Sequence, residues 1–99
     1  MHARMTTLEG TPNHLDEGLR RITEDALPHL QQTDGFKGFV ALGDRHSGKL
    51  IGITFWENEQ AMEAAEEIGD RSRSETAEAI HDMIAGVERY EVGLFEISS

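Results

Sequence analysis

The stretch Gly35–Met62, GFKGFVALGDRHSGKLIGITFWENEQAM, decides the fold of this 99-residue chain. Phe36–Gly43 and Leu50–Trp56 are short apolar runs rich in β-branched and aromatic residues, the composition of strands. The polar segment Asp44–Lys49 between them predicts a hairpin turn. Asp44 can bond its own downstream backbone, and Gly48 can take the positive φ that closes a bulged loop. In the second strand Ile51, Ile53 and Phe55 alternate with Gly52, Thr54 and Trp56, so neither face is fully wet. Asn58 is placed to cap the following helix, and Glu59 suits its positive end.

Toward the N-terminus, Met1–Leu8 alternates as a first strand, and Thr11-Pro12 reads as a helix start. Leu15, Leu19, Ile22, Ala26 and Leu30 recur at helical spacing, predicting a helix from Pro12 to about Gln32. Pro28 removes a backbone donor and clashes with the Glu24 carbonyl, which predicts a kink or break there. Asp34-Gly35 ends that helix, glycine taking the left-handed terminal conformation. Toward the C-terminus, Ala61, Ala65, Ile68, Thr76, Ile80 and Met83 hold helical phase from Asn58 to about Ile84. Gly69-Asp70 interrupts the phase, so one helix or two fit equally. Glu59, Glu63, Glu66 and Glu67 fall toward the outer, solvated side, and Val87–Ile97 reads as the last strand.

The order is β-α-β-β-α-β within a single domain spanning residues 1–99. Two right-handed crossovers then give an α+β fold: a four-stranded antiparallel sheet, order 4-1-3-2, with the helices on one face. Strands two, three and four carry apolar side chains on both parities, so the uncovered face needs a partner. A second copy packed sheet to sheet, a homodimer, is the simplest.

Composition narrows the function. Hydrophobic residues make up 37% of the chain, a modest core. The net charge is −10, with nine basic residues against nineteen acidic ones and no basic cluster. That excludes nucleic acid, whose binding rests on neutralised phosphates, and disfavours anionic membranes. The absence of cysteine removes thiolate nucleophiles and thiolate metal sites. MHARMTTLEG lacks the apolar segment of a secretory signal, and the longest apolar run is far short of a membrane span. A cytoplasmic protein is the expectation.

The pattern resembles a family. The ferredoxin-like order, Gly35-Phe36-x-Gly38 after the first helix, Trp56-Glu57 leading into Ala61-Met62, and a closing Tyr90-Glu91-Val92 are similar to the dimeric α+β barrels of the antibiotic biosynthesis monooxygenase type. The resemblance implies a cleft between sheet and helices in each subunit. In oxygenase members a small aromatic or polyketide-like compound reacts there with O₂ without metal or flavin, so no cofactor is expected. It equally implies a second possibility, a non-catalytic ligand-binding or stress-responsive barrel. The chain departs from the haem-degrading branch: Met1–Leu8 holds no Asn, Ala65 stands about where that branch has a Trp, and Glu75 near the place of its His.

Six residues are candidates for the site. His2 and Arg4 share a parity on the first strand and can bind or deprotonate an acidic substrate if that parity faces the cleft. His81 on the second helical region can reach the cleft mouth or stay solvated. Trp56 can stack on an aromatic ligand or serve as core at the strand–helix corner. Thr54 shares its parity, and Tyr90 can offer a hydroxyl to ligand or dimer seam, or pack in the core. His14, His29 and His46 show no metal-site spacing, and no metal is expected.

Overall fold

Strand β1 (His2–Glu9) sits inside a four-stranded antiparallel sheet, between β3 (Leu50–Trp56) and β4 (Met83–Glu91). Strand β2 (Phe36–Gly43) pairs with β3 at the far edge, giving the order β2-β3-β1-β4. The computed structural model describes residues 1–79 and 82–98, without the side chains of 68–70, 72 and 79. The order is the expected one, because each of the two strand-helix-strand crossovers skips one position in the sheet.

The register separates two faces. Arg4 pairs with Thr54, Thr6 with Gly52 and Leu8 with Leu50, and all six side-chain positions line one cavity under the helices. The other parity pairs Ala3 with Phe55, Met5 with Ile53 and Thr7 with Ile51, continued by Val40 and Leu42 of β2. Among the described residues no helix lies on that second face, and it is apolar along its centre.

The turns follow their local chemistry. Gly35 and Gly48 take φ of +81° and +82°. His46 N–H donates to Asp44 Oδ1 at 2.8 Å, fixing the hairpin turn. Asn58 Oδ1 accepts from Ala61 N–H at 2.8 Å and caps α3 (Glu59–Ala64).

The first helical region is built differently from the sequence reading of one helix kinked or broken at Pro28. A 3₁₀ turn (Pro12–His14) leads into α1 (Leu15–Arg21), then a π turn (Ile22–Ala26), then α2 (Leu27–Gln31). Leu27 N–H bonds the Ile22 carbonyl, one residue further back than in an α-helix. The widened turn stands one turn ahead of Pro28, where it relieves the clash with the Glu24 carbonyl without bending the chain away from the sheet. Thr11 makes no side-chain cap; its carbonyl accepts from His14 N–H at 3.0 Å instead.

Two further boundaries differ. The second helical region is two helices, α3 and α4 (Glu66–Ala79), and the break lies at Ala65, with φ −91° and ψ 3°, not at Gly69-Asp70. This resets the helical phase and turns Glu66 inward, correcting its expected place on the solvated side. The last strand starts at Met83 and ends at Glu91, because β1 supplies partners only from Glu9 back to His2. Residues beyond it leave the ladder: Val92 N–H donates to the Met1 carbonyl at 2.9 Å, and Phe95 packs edge-on against Phe55 at 5.0 Å.

Core packing lies under the helices in two clusters. Leu8, Leu15, Ile22, Leu50 and Ala77 form one, and Leu30, Trp56, Met62 and Ala65 the other. Phe39 packs against both and bridges them.

Candidate functional site

The inward parity of β1 and β3 meets the helices around a cavity of about 60 Å³, room for a few water molecules. Leu8, Ile22, Leu30, Phe39 and Leu50 make most of its wall apolar. Its polar part is Arg4, Arg73 and the threonines Thr6, Thr54 and Thr76.

Arg4 is the centre of that polar part. Only 2% of it is exposed, among the largest fully buried side chains. Its Nη2 donates to the Met62 carbonyl at 2.7 Å and to the Glu66 carboxylate. Its Nε is buried and has no hydrogen-bond partner among the described residues. Burial lowers its pKa, and the facing Glu66 opposes that shift; a guanidinium stays charged regardless.

Glu66 gathers three cations. Besides Arg4, it accepts from Arg89 Nη2, and Arg73 Nη2 lies 3.8 Å from Oε1. Burial alone would raise its carboxyl pKa; the hydrogen bond from Arg89 and the fields of Arg4, Arg89 and Arg73 outweigh it and hold the pKa below the ordinary value. Glu66 is therefore a fixed anion, unsuited to general-base work.

The sequence candidates divide. The structure brings Arg4 and Thr54 together on the cavity wall. Trp56 has the same parity but is wholly buried behind it, its indole N–H donating to Thr54 Oγ1 at 2.9 Å and its ring edge-on to Phe36 at 5.5 Å. His2 shares the inward parity but lies outside the lining; its Nε2 is 3.7 Å from Glu59 Oε2. Tyr90 pairs with Ala3 on the opposite face, half exposed, its hydroxyl donating to Glu88. His81 lies outside the described residues. Arg73, Thr76, Thr6 and Glu66 were not among the candidates. Arg73 and Thr76 stand three apart on α4, a one-face spacing that was readable; Glu66 depended on the break at Ala65.

Among the described residues, no three His, Asp or Glu side chains gather as a metal set, and no helix is long and apolar enough to cross a membrane.

No protein-family model matches the sequence. The chain is 39% identical over 67 residues to the uncharacterized protein Rv2558 of Mycobacterium tuberculosis, covering 68% of this chain and 28% of that protein. It is 34% identical over 92 residues to the uncharacterized protein Rv2557 of the same organism, covering 93% and 41%. The chain thus spans less than half the length of these relatives. Among solved structures, a candidate antibiotic biosynthesis monooxygenase from Deinococcus radiodurans matches over the whole of both chains, with a TM-score of 0.72 at 20% identity. The ActVA-Orf6 monooxygenase of Streptomyces coelicolor, solved with nanaomycin D, matches over 98% of this chain and 92% of its own, with a TM-score of 0.66 at 16% identity. A dimeric ferredoxin-like protein from an uncultured marine organism matches over 98% and 92%, with a TM-score of 0.65 at 14% identity. The chain thus shares the ferredoxin-like α+β fold of these solved structures.

Proposed function

We propose that the chain is a small cofactor-independent oxygenase acting on a phenolic or enolisable aromatic, polyketide-like compound held between sheet and helices. One observation carries this reading: an apolar cavity whose polar part is a buried guanidinium, Arg4, with Arg73 and three threonine hydroxyls. A cation in a low-dielectric wall favours the substrate's anion over its neutral form. Once deprotonated, a substrate CH₂ carbon gives electrons to O₂ and forms a C–O bond. Protonation and loss of water then break the O–O bond and leave a carbonyl. One O₂ is consumed; one of its atoms enters the product, the other leaves as water, and the substrate supplies all four electrons. Arg4 and Thr54 bind, while Trp56 holds Thr54 from behind.

The second reading, a non-catalytic ligand-binding barrel, has its own support: among the described residues, the cavity lining contains no histidine and no carboxylate to take the proton. Oxygen uptake separates the two. With anthrones, which carry such a CH₂, the oxygenase consumes one O₂ per substrate above the blank. Stabilisation by these compounds without oxygen uptake selects the binder.

The same reading makes the working unit a homodimer. The helix-free face around Met5, Ile51, Ile53, Phe55, Val40 and Leu42 supports it, as does the likeness to a protein described as dimeric.

A further inference from the structure

The proposed cleft leaves open which aromatic compounds it admits, and Arg4 narrows them. Resting on that reading of the cleft, we infer that its ligand carries a carboxylate on the aromatic frame, seated against Arg4 and Arg73. Arg4 is 98% buried, lines the cavity, and keeps a buried Nε–H without a partner among the described residues. A buried donor left unmade is costly, and more so on a charged group. A neutral hydroxyl or ketone would satisfy it weakly; a carboxylate offers the charge-assisted hydrogen bond that guanidinium groups take best.

The protein already seats one carboxylate on this guanidinium, through a single nitrogen. Glu66 brings its own carboxylate to Arg4 Nη2 from α4, so the surroundings of Arg4 accommodate a carboxylate. Glu66 is also held by Arg89, which lets it keep a partner when a ligand approaches Arg4. Arg73 is the second cationic group on the cavity wall, and Thr6, Thr54 and Thr76 add hydroxyls able to donate to the same oxygens. The remaining wall is Leu, Ile and Phe, apolar as a ring requires, and the cavity of about 60 Å³ has to widen to take one.

The test is a calorimetric titration at pH 6.5 with a matched pair, salicylate and its neutral counterpart salicylamide. Salicylate is expected to bind at least tenfold more tightly. Arg73→Met is expected to weaken salicylate at least tenfold and to leave salicylamide unchanged, and Arg73 serves because Arg4 variants can fail to fold. Salicylamide binding within tenfold of salicylate, binding of neither, or an Arg73→Met variant that keeps salicylate affinity overturns the inference. Gly52→Ala tests the cleft itself. Its new Cβ would stand 3.2 Å from Phe39 Cζ on the cavity wall. Loss of salicylate affinity in Gly52→Ala places the acid in the cleft; retained affinity refutes the cleft, and the inference falls with it. Absence of oxygen uptake, by contrast, removes only the oxygenase step and leaves acid binding standing.

Discussion

Arg4 and Glu66 stand 62 residues apart and meet in a hydrogen-bonded ion pair that joins the inner strand β1 to the first turn of α4. The pair ties the break at Ala65 to the sheet, since Arg4 also bonds the Met62 carbonyl at 2.7 Å. Arg4 is thus both a structural tie and a part of the cavity's polar wall.

Removing Arg4 should therefore be expensive. Arg4→Met leaves the Met62 carbonyl without this donor and takes one cation from Glu66. Loss of one partner of a buried pair costs about 3–5 kcal/mol; Arg89 still holds Glu66, so the expected loss is nearer the lower figure. Arg89 is far more exposed, and Arg89→Met should cost under about 1 kcal/mol. Urea unfolding of the two variants checks the contrast, and equal losses would contradict it.

Acid should release the same tie. The Glu66 pKa is depressed in the folded state, so its contribution is complete above the unfolded value of about 4.5 and is lost as pH falls through the folded value. The urea midpoint should be level from pH 7 to about 5 and fall below about 4.5. Glu66→Gln should flatten part of that fall. A fall of the same size in Glu66→Gln would show that other carboxylates govern it.

Gly48 should tolerate no side chain. Its φ is +82°, and an added Cβ would stand 2.6 Å from the Thr11 carbonyl carbon and 2.7 Å from the Gly10 oxygen, both backbone. Gly48→Ala should cost about 2–3 kcal/mol, combining backbone strain with a clash that cannot swing aside. Gly86 has nothing within 4 Å of its would-be Cβ. Gly86→Ala should stay within about 0.5 kcal/mol of the parent. Thermal melts of both report the difference.

The helix-free face predicts the assembly. Sedimentation at micromolar concentration should give about twice the 11.0 kDa chain mass. Ile53 pairs with Met5 and Val40 at the middle of that face. Ile53→Lys should give a monomer with unchanged helical circular dichroism. A parent chain that sediments as a monomer ends the homodimer proposal.

Much of this architecture was legible before any coordinates. The hairpin at Asp44–Lys49, the Asn58 cap, the left-handed Gly35 and the strand order all follow from local chemistry and crossover handedness. The site was legible only in fragments. Arg4 and Thr54 were readable as inward candidates, because parity is local. Which parity faces the helices required cross-strand register. Glu66 was assigned to solvent because the interruption was read at Gly69-Asp70, beyond it, and no glycine or proline marks the stop at Ala65. Tyr90 was placed by its chemistry, and the register puts it across the sheet from the cavity.

The π turn has a reach beyond its own five residues. Ile22 and Ala26, its first and last members, and Leu30 one turn later all border the cavity, whereas Pro28 does not. Trading Pro28 for an ordinary helix former removes the reason for the extra residue in that coil. The segment could then rewind, carrying Leu30 around the axis and redrawing the ceiling over Arg4. Under the proposed function, the choice of ligand would thus be set in part from a position that does not border the cavity.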